Sequence, residues 1–434
     1  MTTAEKIARY AFATYDDALT NDVLGIMRLS LLDWASVARA GVAEPVSLAV
    51  WAVENGNGGY GVSSVIDRET QMPPRSAAMV NGVLGHALDY DDTHFAHIGH
   101  VSAVVLPTVL AVAESQEESL DAMLRAAVVG AEAAIRTGLW LGRSHYEAGF
   151  HQTASAGIFG ATVGGAALMR DINSTEVAQA VALAGSRAGG LKSHFGTMAK
   201  PYHAGMAAAG AIEVLEAVSC GVDANINALD GLLGYGLMHG GVCDDTAFDY
   251  AGYLWPAVSH KLHACCHGTH AAIEALRDFQ GQPVDAVEIA VHPRWLDVCN
   301  ISEPSTRLEA KFSLRLTGAM SLLGLPMTTF QSFEDDVILS EAVVAMRDRI
   351  TVVGNADIAD TATEVQVRVA GKTHDAHHDL AEVADFETRK TRVQEKSRAL
   401  IGEALSNALW EEIMNPNHPA VDRFTQILRE GVKG

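Results

Sequence analysis

Residues Gly85–His100, GHALDYDDTHFAHIGH, hold four histidines (His86, His94, His97, His100) and three aspartates (Asp89, Asp91, Asp92) in sixteen positions. Apolar helix-like runs, Ser76–Leu88 and Val101–Ala113, flank them. Ionisable groups set into core-forming sequence must be paired or used, because unpaired buried charge is costly. If the helix that begins near Asn81 continues to about His94, His86, Asp89 and Thr93 share one face. Asp92 then lies about a quarter-turn away, and Asp91 points to solvent near the helix end. A carboxylate, a hydroxyl and an imidazole on one face form an acid/base or substrate-positioning cluster.

Three further patches carry similar chemistry. His151 lies in GFHQT, just ahead of a small-residue helix expected over Ala154–Leu168. A helix N-terminus lowers an imidazole's proton affinity and keeps it neutral, ready to act as a base. Lys200 precedes Pro201, which suits the first turn of a helix. Its ammonium beside outward-pointing amides makes a cradle for a carboxylate. The third patch is KLHACCHGTH, Lys261–His270. Its residue types suit zinc but its spacing does not. Cys265 and Cys266 are expected to pack rather than attack, and no metal or organic cofactor is expected.

The elements that must position these groups come in two textures. From Ala4 to about Gly221, Ala, Leu and Val recur at three- and four-residue spacing, the mark of helices. Small-residue stretches, Ala154–Gly165 and Ala204–Ala211, would let helix backbones approach closely, in a tight bundle or at a dimer face. After His260 the pattern changes. Val284–His292 and Thr363–Val369 alternate like half-buried strands, with a helix expected between them over Leu308–Leu323. Helices return over Thr388–Ala408 and Ala420–Gly431. The expected architecture is mainly α: a large all-helical domain, 1–259, with 399–434 packing back on it, and a smaller α+β domain, 260–398.

With a net charge of −22, the chain is a poor partner for nucleic acid or an anionic membrane surface. It has no apolar run long enough to span a bilayer and no signal-peptide core near Met1, so a cytoplasmic location is expected. Five cysteines, an odd number, fit reduced thiols. No dinucleotide fingerprint, phosphate loop or nucleophile elbow is present.

The ordered segments NGVLGHALDYDDTH, HVSAVVLPTVLAVAE, HYEAGFHQTASAGIFGA, GLKSHFGTMAKPYHAG, SHKLHACCHGTHAAIEA and EAKFSL together resemble the MmgE/PrpD family. The resemblance implies a helical domain with a smaller α+β lid, a homodimer, an active site in the cleft between domains, and no cofactor. It implies catalytic roles for Asp89, Thr93, His100, His151, Lys200 and Lys261. His86, His203 and His267 complete the expected site as substrate-binding residues. His100-Val101-Ser102 stands where the family usually has His-Pro-Ser. His267 stands where many members offer an arginine, and an imidazole cannot replace that bidentate clamp.

The expected function is a cofactor-independent lyase, of dehydratase or decarboxylase type. It would transfer a proton next to a carboxylate of a small di- or tricarboxylic acid. The alternatives are an epimerase of an amino- or imino-dicarboxylate such as iminodisuccinate, and a non-catalytic carboxylate-binding dimer.

Overall fold

The computed structural model describes residues 1–12, 21–249, 251–415 and 421–431. Ala420, where the last helix was expected to begin, lies outside the described residues. The chain forms two compact units, Met1–His260 with Phe386–Gly434, and Lys261–Asp385. The first is helical and the second mixes helices with one small sheet, so the fold is mainly α with a smaller α+β part. Among the described residues, no helix is long and apolar enough to cross a membrane.

In chain order the main helices of the first unit are α1 (Asn21–Ala40), α2 (Pro74–His86), α3 (Ser102–Ser115), α4 (Leu120–Glu147), α5 (Gly157–Ala166) and α6 (Ala199–Ser219). The second unit contributes α7 (His270–Leu276) and α8 (Leu314–Leu322). The first unit closes with α9 (Phe386–Ile401), α10 (Glu403–Ile413) and α11 (Asp422–Glu430).

Helices α2 and α6 pack closely. At their crossing, a Cβ added to Gly82 would stand 2.8 Å from the Gly205 Cα. Only glycine lets two backbones approach so nearly. The crossing matters because His86 lies one turn beyond Gly82, and Lys200 and His203 lie within a turn and a half of Gly205. The small-residue helices therefore serve packing within the chain. Every residue of α5 is buried, as are Ala204, Ala207, Ala208 and Ala211 of α6. This corrects the expectation that these stretches offer a dimer face.

The C-terminal helix α9 packs on α1. It buries Val393, Lys396 and Ser397 there, and Ser397 accepts a hydrogen bond from Ser36 at 2.7 Å. The boundary between the units accordingly falls at 385/386, earlier than the expected 398, because these side chains need α1 as their partner. Gly402, at φ +82°, breaks the single helix expected over Thr388–Ala408 into α9 and α10.

The second unit holds a four-stranded sheet in the order β2-β1-β3-β4. The strands are β1 (Val284–Val291), β2 (Ile350–Gly354), β3 (Ala362–Val369) and β4 (Lys372–Asp379). β1 runs parallel to β2 and antiparallel to β3, and β3 and β4 form a hairpin. Its apolar core joins Val287, Ile289, Val365 and Val367 to Leu276 of α7 and Leu314 of α8. The helix expected over Leu308–Leu323 is broken near Lys311–Ser313, where Ser313 turns to cap α8.

Candidate active site

Helix α2 stops at His86 instead of running to His94. Asp89 takes a left-handed backbone conformation, φ +51°, which no helix can continue. Thr93 therefore does not share a helix face with His86. Its backbone pairs instead with Ser259, through N–H···O bonds of 2.9 and 2.8 Å in both directions. A tight turn follows, in which the His94 N–H donates to the Gly99 carbonyl.

The four histidines of this loop separate by role. His94 Nε2 contacts the Leu254 carbonyl at 2.9 Å and His97 Nδ1 the Ala134 carbonyl at 3.0 Å. Burial pushes them down to about 4 and about 3, so both are neutral donors that hold the loop in place. His86 and His100 instead share one carboxylate. Asp91 Oδ1 lies 3.0 Å from His86 Nδ1, and Asp91 Oδ2 lies 3.0 Å from His100 Nδ1.

Asp91 is fully buried, against the expectation that it faces solvent. Burial opposes its ionisation, but His100 and His86 together outweigh that and hold the carboxyl well below the usual range. Burial also pushes His100 down to about 4, against the pull of Asp91. Ionised Asp91 thus faces the Nδ1 atoms of both rings, at 3.0 Å from each. Each ring carries its proton on Nδ1 and presents Nε2 away from Asp91.

His100 Nε2 lies 3.3 Å from Asp89 Oδ1, and the same oxygen takes Lys200 Nζ at 2.7 Å. Asp89 is the more exposed partner, with 41% of its side chain accessible against 16% for Lys200. A continuous polar chain thus runs Lys200–Asp89–His100–Asp91–His86. His86, Asp89, Asp91 and His100 could each offer one donor atom to a metal, all within 4.8 Å of one another. Their mutual contacts already use both Nδ1 atoms and Asp91, and Lys200 supplies a cation at Asp89. These groups thus pair with one another, Asp91 between two imidazoles and Asp89 beside Lys200.

His151 approaches from the other side, with its ring 5.7 Å from that of His86. It precedes the short helix Gln152–Ser155, and its N–H donates to the Gly190 carbonyl at 3.0 Å. The neighbouring Thr153 hydroxyl accepts from the His100 N–H at 3.0 Å, tying the two segments together. His151 Nδ1 meets His203 Nδ1 at 3.2 Å. Proton affinity at His151 is strongly lowered, first by burial and then by His86, Lys200, His100 and His203. Burial, rather than a helix N-terminus, is the main cause. Phe195 stands edge-on to His151, with ring centroids 5.0 Å apart.

The structure thus brings together Asp89, His86, His100, His151, Lys200 and His203, with Thr93 in the same loop. Lys261 and His267 belong to the second unit. There Lys261 lies near Cys265, whose thiol burial pushes up to about 12, in keeping with a packing role. Cys266 and Cys299 bring their sulfurs to 3.2 Å, and His267 stacks edge-on with His270.

The MmgE/PrpD N-terminal domain matches residues 5–242, and the MmgE/PrpD C-terminal domain matches residues 263–417. The chain belongs to the MmgE/PrpD family. Cis-aconitate decarboxylase from Homo sapiens is 31% identical over 193 residues, 43% of this chain and 40% of that protein. Cis-aconitate decarboxylase from Mus musculus is 27% identical over 277 residues, 58% of this chain and 55% of its own length. The Aspergillus terreus cis-aconitate decarboxylase is 26% identical, over 68% of this chain and 62% of that one. The matches therefore span less than two thirds of these relatives.

Behind the site of this MmgE/PrpD chain lies a buried polar layer that sequence reasoning missed. Lys396 of α9, 1% exposed, donates to the Tyr90 carbonyl at 2.7 Å and pairs with Asp33 of α1 at 2.6 Å. Arg389 of α9 donates to the Pro256 and Val258 carbonyls, next to Ser259, whose backbone pairs with Thr93. Asp92 accepts from the Ser102 hydroxyl at 2.6 Å, and burial raises it to about 7. Asp91 had a readable signal in the DYDD run. Lys396 had none, because it sits in the charged stretch TRKTRVQEKSR.

Proposed function

We propose that this protein is a cofactor-independent lyase that decarboxylates a small tricarboxylate of the cis-aconitate class. The observation that carries the proposal is Asp89 Oδ1, held by Lys200 Nζ at 2.7 Å with His100 Nε2 3.3 Å away. A carboxylate oxygen here meets a cation on one side and an imidazole on the other. A substrate carboxylate displacing the exposed Asp89 would meet the same pair. The names of the relatives support the substrate class.

In such a reaction the bond to the departing carboxylate breaks and its electron pair spreads onto the carboxylate that remains. Lys200 would stabilise that enediolate-like charge, which is where an enzyme gains most. His151, neutral and buried, would deliver the proton that the carbon takes up. His100, its tautomer fixed by Asp91, would present Nε2 toward the substrate, and Asp89 and Thr93 would orient it. In the second unit, Lys261 and His267 are proposed as carboxylate-binding residues. A homodimer is proposed too. Leu232 and Leu233, 86% and 89% exposed, are the kind of apolar surface such an assembly covers.

The test is to incubate the purified protein in D₂O with cis-aconitate, 2-methylcitrate and iminodisuccinate, following each by proton NMR. Loss of CO₂ from cis-aconitate, with one deuteron entering the product, is expected. Exchange of an α-proton without net conversion would replace this reading with an epimerase. Ligand-induced thermal stabilisation without turnover of any of the three would leave a binding protein.

A further inference from the structure

His151 poses a problem for any step in which it gives up a proton. It is 3% exposed, and its neighbours Lys200, His86 and His100 all oppose a positive charge on it. It is therefore a neutral ring, and a neutral ring that donates its Nε2 proton would be left as an imidazolate. Such an anion is far too basic to form unless another proton arrives at Nδ1 in the same step.

The atom facing His151 Nδ1 is His203 Nδ1, at 3.2 Å. Two imidazole nitrogens at that distance share one proton. His203 is buried, 6% exposed, and its ring centroid lies 5.8 Å from that of His194, edge-on. His194 is exposed. Burial also pushes His203 down to about 4, so it too is neutral at pH 7. Gly190 fixes this pair from behind. It has φ +114°, and a Cβ there would stand 3.3 Å from the His203 ring, while its carbonyl holds the His151 N–H. The three rings form a gradient from the buried site to water.

We propose that His203 is a positioning and proton-relay residue that acts through His151, not a substrate ligand, passing protons between His151 and solvent beside His194. The proposal rests on the decarboxylase reading. In the occupied site His151 Nε2–H protonates the carbon that has lost CO₂. The Nδ1 proton of His203 moves to His151 Nδ1, and His203 Nε2 takes a proton from solvent. One solvent proton is consumed and one C–H bond forms, and both rings end neutral with exchanged tautomers. In the emptied site water returns a proton to His151 Nε2, the shared proton goes back to His203, and His203 Nε2 releases one.

His203→Gln keeps a polar side chain, but its amide cannot take up one proton and pass on another. It should lower kcat about 100-fold, the scale of one lost acid/base step, with KM within about twofold. The wild type should give a bowed proton inventory in H₂O/D₂O mixtures, and the variant a linear one. Unchanged kcat with raised KM would make His203 a substrate ligand and overturn the relay, as would a linear wild-type inventory. His194→Gln, at an exposed position that cannot unfold the core, should slow kcat only in dilute buffer and recover with added imidazole. If no carboxylate is turned over, the function reading fails, and the relay is then judged by ¹⁵N NMR of histidine-labelled protein. A shared proton between His151 Nδ1 and His203 Nδ1, lost in His203→Gln, supports it. Two independent tautomers overturn it.

Discussion

Asp91→Asn isolates the part of the site that sets tautomers. The substitution keeps shape and removes one charge from a fully buried position. Asn offers one oxygen and one NH₂ where Asp91 offers two oxygens at 3.0 Å from His86 Nδ1 and His100 Nδ1. One ring keeps its acceptor. The other meets a donor and must move its proton to Nε2, so it no longer presents a lone pair there. Each charge-assisted bond is worth about 1.5–3 kcal/mol, while loss of a buried carboxylate recovers desolvation cost of similar size. Stability at pH 7 should therefore change by less than about 2 kcal/mol. Activity should not be spared, since the equivalent change behind the histidine of serine proteases lowers kcat by about 10⁴ through the wrong tautomer. The acid side gives a second readout. Asp91 is held below its ordinary range in the folded protein, so its contribution is present above the unfolded pKa of roughly 3.9 and is lost as pH falls. Steady-state kinetics and thermal melts from pH 3 to 7 would test both. A kcat within threefold of wild type, with an unchanged acid-side slope, would refute the reasoning.

Lys200→Ala should cost about 3 kcal/mol or more of transition-state stabilisation, read as a fall of at least 100-fold in kcat/KM with Tm unchanged. Lys396→Met leaves Asp33 buried without its cation and should cost about 3–5 kcal/mol, seen as a Tm lower by roughly 5–8 °C. Asp33→Asn in the same chain should restore most of that loss. Burial, only partly offset by Lys396, raises Asp33 to about 6, above the unfolded 3.8, so its contribution is lost as pH rises through about 6. The Lys396→Met deficit should therefore be larger at pH 8 than at pH 5 in calorimetry. Dialysis against a chelator should leave activity intact, and loss of activity that zinc restores would contradict the hydrogen-bonded reading of the His/Asp chain.

The site was legible where a polar residue interrupts an apolar helical pattern. His86, His151 and Lys200 stand out this way, and the α2–α6 crossing follows from the glycines that accompany them. Asp91 was misread because helical spacing was carried past His86. Aspartate tolerates the left-handed turn found at Asp89, but three aspartates in DYDD leave its position unmarked. Lys396 hides for the opposite reason. Its neighbours are charged and its helix reads as solvated, yet Val393 and Ser397 bury that face against α1. In the second unit, β1 and β3 alternate and were found. β4, KTHDAHHD, is polar on both faces and is a strand only because the turn at Ala370-Gly371, with both φ values positive, folds it onto β3.

The Lys396–Asp33 pair has a consequence for biosynthesis. Asp33 and the loop around Tyr90 leave the ribosome early, whereas Lys396 follows only after the whole second unit has been made. At about 5–20 residues per second, that interval is roughly 15–60 seconds. Throughout it the N-terminal helices hold a carboxylate that must stay hydrated or protonated, so the nascent first unit cannot close its core. Completion of the first unit is thus timed by translation of its own C-terminus. Ribosome-stalled chains ending before Phe386 should remain protease-sensitive around residues 86–100, and chains extended through α9 should not.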